Sequence, residues 1–143
     1  MNFNTYINPS ASTTAGINDA VALGNRAQQL SSIGDHEGAA QLHRQAITIK
    51  IAVNGANSIQ VALSRNALGE ELLRLGRLEE AEEELKEAVR IREGAPPDNA
   101  FDAAVSRENL AQVYEVKQQW EDARKIRFRN KDEMACSNYE VSA

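Results

Sequence analysis

Apolar side chains recur at helical spacing along most of the chain, most regularly in residues 67–93, ALGEELLRLGRLEEAEEELKEAVRIRE. Leu68, Leu72 and Leu75 lie three or four positions apart, which predicts a helix with one buried face. Gly76 follows this helix and is expected to end it, because glycine readily adopts the left-handed conformation of a helix C-cap. A second helix follows, with an apolar face formed by Leu78, Ala81, Leu85, Ala88 and Ile91. The pattern predicts a pair of antiparallel helices.

The same helix pair occurs three times, with a period of 42 residues. Residues that match at this shift include Gly34 and Gly76, Ala39 and Ala81, Ile49 and Ile91, and Leu68 and Leu110. The three copies begin near Ile17, Ile59 and Phe101. Because small, large and turn residues all keep the same register, the sequence predicts stacked structural repeats.

We expect six helices, over residues 18–33, 36–53, 58–75, 78–93, 99–117 and 120–133. The turns VNGANS and GAPPDN separate the copies, and the expected N-caps after them are Asn57 or Ser58, and Asp98. The predicted domain organisation is a flexible arm over residues 1–16, a repeat domain over 17–134 and a mobile tail over 135–143. Within the domain the repeats lie near 17–58, 59–100 and 101–134.

The spacing Arg65-x2-Leu68-Gly69-x2-Leu72, followed by Ala81-x3-Leu85, resembles a tetratricopeptide repeat. The usual period of that family is about 34 residues, and the longer period here resembles the repeats of kinesin light chains. The resemblance implies an all-α fold of three helix-turn-helix repeats that form a short right-handed solenoid. It also implies a non-catalytic module that binds a peptide or an extended protein segment in its concave groove.

The composition favours a soluble protein of a reducing compartment. The formal net charge is −5, which argues against a nucleic-acid surface as the main function. The single cysteine, Cys136, excludes an internal disulfide. Neither a signal peptide nor an apolar run of membrane-spanning length is found. We therefore expect the cytoplasm, with the nucleus as an alternative, and no membrane partner.

Stacking is expected to line one concave face with the first helix of each copy. The residues predicted on this face are Asn25, Gln28, Leu63, Asn66, Glu70, Val105, Glu108, Asn109 and Gln112. The asparagines resemble those with which kinesin-light-chain repeats hold a peptide backbone, since an amide both donates and accepts hydrogen bonds. Glu70 and Glu108 favour a basic partner. The alternative is that all these side chains are solvated and bind nothing.

Some tetratricopeptide domains hold a terminal carboxylate with basic and amide side chains. The corresponding positions are Gly24, Gln28, Ala67, Val105 and Asn109, and none is basic. We therefore expect no carboxylate clamp of that kind.

The remaining candidate residues are interpreted as structural. His36 and His43 align with Leu78 and Leu85, which places them in the packed seam, and no metal site is expected. Tyr114 and Trp120 align with Leu72 and Leu78 and are expected in the core.

The C-terminal MACSNYEVSA resembles the start of the segment that follows such repeats in fungal proteins ending in a MYND-type zinc finger. No second cysteine follows Cys136, so we expect no zinc and no other cofactor.

Two alternative functions stay open. One is self-association through the open end of the array. By register, however, Arg127, Asn130 and Glu133 are expected to make that end polar, which predicts mostly monomer with a weak dimer as the alternative. The other is a nucleic-acid-associated regulator that uses the basic stretch ARKIRFRNK, residues 123–131, although we do not expect nucleic acid as the partner. No nucleophile, base and orienting group occur in a catalytic pattern, so an enzyme is not expected.

Overall fold

The computed structural model describes the backbone of residues 13–141 and the side chains of residues 16–132. Six α-helices follow one another in this range: α1 (Thr13–Ser32), α2 (His36–Asn54), α3 (Ile59–Arg74), α4 (Leu78–Glu93), α5 (Ala100–Val116) and α6 (Trp120–Val141). Each helix packs mainly against the helices before and after it in the sequence. No strand occurs among the described residues. The predicted all-α repeat array is confirmed.

The turns between repeats follow the predicted capping chemistry at one of two places. The Ser58 side chain accepts a hydrogen bond from the backbone N–H of Val61 and so caps α3. The prediction that Asp98 caps the first helix of the third repeat, α5, is wrong. Residues Pro97–Asn99 form a short 3₁₀ turn there, and α5 begins at Ala100 without a side-chain cap. Pro96 and Pro97 fix the backbone at the start of this turn, so Asp98 lies inside the turn and not at the N-cap of α5.

The turn inside each repeat ends its first helix in the same way. Gly34, Gly76 and Gln118 lie 42 residues apart, and all three have a positive φ, of 86°, 76° and 61°. The residue after each donates its N–H to a carbonyl five positions back, as in Arg77 to Leu72 and Gln119 to Tyr114. This is the hydrogen bond of a Schellman C-cap, which fixes the reversal between the two helices.

The core lies between the two helices of each repeat and between neighbouring repeats. Leu68, Leu72 and Leu85 are among the largest fully buried side chains, and Ala39, Ala81 and Ala123 are also buried. The helices α3 and α4 approach closely at Gly69, where an added Cβ would lie 2.5 Å from Leu85 Cγ. A glycine at this position therefore sets the distance between α3 and α4.

Helix bounds differ from the prediction at the two ends of the array. The first helix begins at Thr13, five residues before the predicted start, and Gly16 in this added part lies close to Val53 of α2. Helix α6 continues to Val141, and no Gly or Pro occurs after Trp120 to stop it. The mobility of residues 1–16 and 135–143 stays a prediction, and residues 1–12 and 142–143 lie outside the described range.

The expectation that Trp120 belongs to the core is wrong, since this side chain is 63% exposed. Its register partner His36 bonds to Glu71 of the following repeat, so this position faces the next repeat. Within the described residues no helix follows α6 to cover it. Tyr114, in contrast, is buried as predicted.

The predicted polar end face is also placed differently. Arg127 binds Glu108 and Glu115, and Asn130 binds the backbone of Ala104, so both residues face α5 of their own repeat. The outward face carries Trp120 and Phe128 instead, and Phe128 is 64% exposed. Glu133 lies outside the described side chains.

Candidate binding groove at the first repeat junction

A groove with a volume of about 510 Å³ lies between α1 and α3, with α2 closing one side. Four of the predicted residues line it, namely Asn25, Gln28, Leu63 and Glu70. Val21, one helical turn before Asn25, lines it as well. The side chains of Val21 and Leu63 are 52% and 56% exposed. We call this space the first-junction groove, because it lies where the first repeat meets the second.

An apolar pocket of about 160 Å³ adjoins the groove. Ile17, Val53 and Leu63 contribute to its lining, and Leu63 also lines the groove. The combined surface therefore offers polar groups at one end and a hydrophobic recess at the other. Binding sites for ligands commonly combine these two features.

The second junction, between α3 and α5, is filled by side chains. Ser106 Oγ donates to Asn66 Oδ1 at 2.8 Å, and Asn109 Nδ2 donates to the same oxygen at 3.2 Å. Asn109 Nδ2 also lies 2.8 Å from Glu70 Oε1. Arg92 Nη1 donates to Ser106 Oγ at 2.7 Å. We call these five residues the second-junction network.

At the first junction, four of the five equivalent positions carry a different residue, and the serine is kept. A shift of 42 residues replaces Asn66, Glu70, Arg92, Ser106 and Asn109 with Gly24, Gln28, Lys50, Ser64 and Ala67. All five replacements line the groove. An added Cβ on Gly24 would meet nothing within 4 Å. Gly24 and Ala67 therefore leave the first junction open at the two positions that Asn66 and Asn109 occupy at the second junction.

The predicted roles of two of the three asparagines, Asn66 and Asn109, need correction. Asn66 is 7% exposed, and both ends of its amide are bonded within the chain, so it is not available to a peptide backbone. Asn109 is partly buried and also bonded in the network. Asn25 is exposed and lines the groove. A repeat pattern identifies which helix face a residue occupies, but not whether a neighbouring repeat covers it.

The other predicted residues of the third repeat lie away from the groove. Val105, Glu108 and Gln112 do not contribute to its lining. The Glu108 carboxylate pairs with Arg127 Nη2 at 2.8 Å. The hydrogen bonds that Glu70 accepts come from neutral amides and leave its charge in place, so the basic partner stays a prediction that rests on Glu70.

Two lining residues come from α2 and were not predicted. Lys50 Nζ donates to Ser64 Oγ at 2.7 Å, and burial lowers the pKa of its ammonium group. His43 is buried as expected, and its Nδ1 has no hydrogen-bond partner. Burial lowers the pKa of His43, against a raising effect of the Glu71 charge. In the sequence, Lys50 aligns with Arg92 at the 42-residue shift, and this alignment could have indicated a basic residue at each junction.

The basic stretch of α6 is partly engaged in ion pairs. Arg127 binds Glu108 and Glu115, which raises the pKa of its guanidinium further, and Arg129 pairs with Glu93. Phosphates would have to compete with these carboxylates. This geometry weakens the nucleic-acid alternative.

Metal-binding clusters and membrane-spanning helices are both absent from the part of the chain that the structure describes. It contains no group of three His, Cys, Asp or Glu side chains that could hold a metal ion. None of its helices combines the length and apolar character needed to cross a bilayer. Cys136 lies outside the described side chains, so the expectation that it binds no zinc stays a prediction.

Comparisons with known proteins agree with the repeat geometry. A family model described as "Tetratricopeptide repeat" matches residues 18–94. No curated protein matches the chain. The crystal structure of BtubC (BKLC) from P. vanneervenii superposes with a TM-score of 0.79 at 22% identity, over 83% of this chain and 48% of that one. The chain thus spans about half of that structure, and the likeness shows a shared helical-repeat fold. On the family match, the chain belongs to the tetratricopeptide repeat family.

Proposed function

We propose that the first-junction groove binds an extended segment of a partner protein. The observation that carries the proposal is the difference at Gly24 and Ala67, which leave open a space that Asn66 and Asn109 fill at the second junction. Tetratricopeptide repeats generally mediate protein–protein interactions. That general role supports a non-catalytic binding module, which we propose for this chain.

The surface of the groove supports binding of a peptide-like ligand. Val21 and Leu63 leave apolar area exposed at the mouth of the pocket, and burial of such area contributes roughly 25 cal/mol per Å². The groove walls are helices held by core contacts, so mainly the bound segment loses conformational freedom. Asn25 and Gln28 are exposed amides that can pair with a peptide backbone.

A direct test fills the groove with the residues of the second junction. In the double variant Gly24→Asn and Ala67→Asn, the new amides would occupy the space a ligand needs. We expect this variant to fold and to lose binding to an immobilised random-peptide array by at least about tenfold, since the groove contacts are removed. The measurement is fluorescence of the labelled chain on the array, followed by NMR titration with the best peptide.

The matched control is Gln29→Asn combined with Ala22→Asn, which changes two exposed α1 residues that do not line the groove. Binding should be unchanged in this control. Chemical-shift changes centred on α6, rather than on Gly24 and Ala67, would contradict the proposal.

Self-association is the second candidate, favoured by the exposed pair Trp120 and Phe128 on the outward face of α6. Exposed apolar side chains at the end of a repeat array are a frequent cause of pairing. If copies pair there, light scattering should show a dimer that Phe128→Glu converts to monomer. A monomer at all concentrations would remove this candidate.

A further inference from the structure

Each repeat junction places a basic residue against a serine of the next repeat. Lys50 Nζ lies 2.7 Å from Ser64 Oγ at the first junction. Arg92 Nη1 lies 2.7 Å from Ser106 Oγ at the second, 42 residues further along in both partners. The two cations therefore occupy equivalent places in the fold.

The second cation has two carboxylates of the chain nearby, although its Nε has no hydrogen-bond partner. Arg92 Nη1 also donates to the backbone oxygen of Asp102 at 2.8 Å. Burial lowers the pKa of the Arg92 guanidinium, and the nearby Asp102 and Glu70 carboxylates oppose that effect. Asn66 and Asn109 hold the Glu70 carboxylate in position by hydrogen bonds of 3.1 and 2.8 Å.

The first cation lacks all three of the corresponding groups. Gln28 stands where the second junction has Glu70, so the carboxylate is replaced by a neutral amide. Gly24 and Ala67 stand where it has the two asparagines. An ammonium group has three N–H donors, and Lys50 has one recorded acceptor, Ser64 Oγ. Among the described side chains, no carboxylate lies within ion-pair distance of Lys50.

The acidic residues of the groove are held by other partners. Glu71 bonds to His36 Nδ1 at 2.7 Å and to Arg74 Nη1 at 3.0 Å. Glu70 accepts hydrogen bonds from Asn66 and Asn109 on the side of the second junction. Lys50 is thus a partly buried cation that the groove itself does not neutralise.

We propose that Lys50 selects the partner, by binding an Asp or Glu side chain of the bound segment in the place that the Glu70 carboxylate has at the second junction. The proposal rests on the proposed function of the groove, and it reverses the charge expected from the sequence. A carboxylate accepts charge-assisted hydrogen bonds from an ammonium group, which are about twice as strong as neutral ones. The site differs from a terminal-carboxylate clamp, because its cation comes from α2.

The test uses immobilised random peptides, attached through their C-termini so that only side chains supply carboxylates. Peptides are made in matched pairs, in which every Asp and Glu of one member is Asn and Gln in the other. We expect the chain to bind acidic members about tenfold more tightly than their amide partners. Lys50→Met should abolish this preference, and Lys50→Arg, the residue type of the second junction, should keep it.

A third variant supplies the missing carboxylate from within. Gln28→Glu should pair with Lys50 and abolish the acidic preference, whereas Gln29→Glu, an equal charge change on an exposed residue outside the groove, should leave it intact. Equal binding of both members of each pair, or a preference unchanged in Lys50→Met, would overturn the assignment to Lys50. Binding that the groove-filling double variant does not reduce would instead overturn the proposed function.

Discussion

The two junctions of this array have the same backbone arrangement and opposite surface character. At the second junction, Asn66, Asn109 and Ser106 form a hydrogen-bonded network between α3 and α5. At the first junction, Gly24 and Ala67 leave a groove of about 510 Å³. Repeat architecture makes the positions equivalent, and side-chain size decides which junction is filled.

This difference separates stability from binding along one chain. A filled junction satisfies its buried polar groups internally, which fixes the packing of neighbouring repeats. An open junction leaves donors and apolar surface for a ligand. Substitutions at the two junctions, and at equivalent turns, should therefore change the free energy of unfolding by different amounts.

The largest effect is expected for Asn66→Ala at the second junction. Asn66 is 7% exposed, and its loss leaves the Ser106 hydroxyl without its acceptor and Glu70 with one amide donor fewer. A buried group left unsatisfied costs about 1–3 kcal/mol, and loss of packing adds to it, so we expect destabilisation of ~2–3 kcal/mol. Urea denaturation measures the change.

The control for this prediction is Gln112→Ala, an exposed substitution on α5. Its effect should stay within about 0.5 kcal/mol. If Asn66→Ala is as mild as the control, the network contributes little and the filled junction is not a stability element.

Periodicity in the sequence is sufficient to predict the six helices, their order and the small residues at close approaches, such as Ala39 and Ala81. It also places Leu63 and Asn25 on the same face of equivalent helices, and both line the first-junction groove. It cannot show that Asn66 is covered, because burial at a junction depends on residues 40 or more positions away, such as Ser106. The prediction that Trp120 is buried is wrong for a related reason, since no further repeat covers this side chain among the described residues.

The second prediction concerns His43, whose register partner is Leu85. Burial lowers the pKa of His43 below the ordinary value of 6.5, and the groups that face it are Glu71, which opposes this effect, and Lys50, which adds to it. A lowered folded-state pKa means that stability is complete above the unfolded value and is lost as the pH falls through it. We expect His43→Leu to raise stability by ~1–2 kcal/mol, because a buried Nδ1 without a partner is removed.

The pH dependence provides the check. Thermal melts of the parent chain should lose stability as the pH falls below about 6.5, the ordinary histidine value. In His43→Leu this loss should be smaller, and His36→Leu serves as the comparison for a histidine that already has a carboxylate partner. Identical pH profiles for the parent and His43→Leu would show that His43 does not titrate differently in the folded chain.

The third prediction tests whether equivalent turns have equivalent energies. Gln118 has a φ of 61° where the first two repeats have Gly34 and Gly76. A side chain in this left-handed conformation costs roughly 1–2 kcal/mol, part of which glycine gives back through its larger unfolded-state entropy. We expect Gln118→Gly to stabilise the chain by about 1 kcal/mol, as measured by urea denaturation. Gln119→Gly, at the next residue, should destabilise or leave stability unchanged.

The smallest effect is expected at the position that opens the groove. Gly24 lies inside α1, and an added Cβ would meet nothing within 4 Å. Alanine removes backbone freedom from the unfolded chain without a clash, so Gly24→Ala should stabilise by about 0.4–1 kcal/mol. The contrasting substitution is Gly69→Ala, where the new Cβ would lie 2.5 Å from Leu85 Cγ and the same change should cost ~1–3 kcal/mol. Thermal melts of both variants give the sign.

Because the methyl group of Gly24→Ala is small, peptide binding should persist in this variant while Gly24→Asn weakens it. If Gly24→Ala destabilises the chain, the space at the first junction is smaller than the groove geometry indicates, and the contrast between the junctions is reduced.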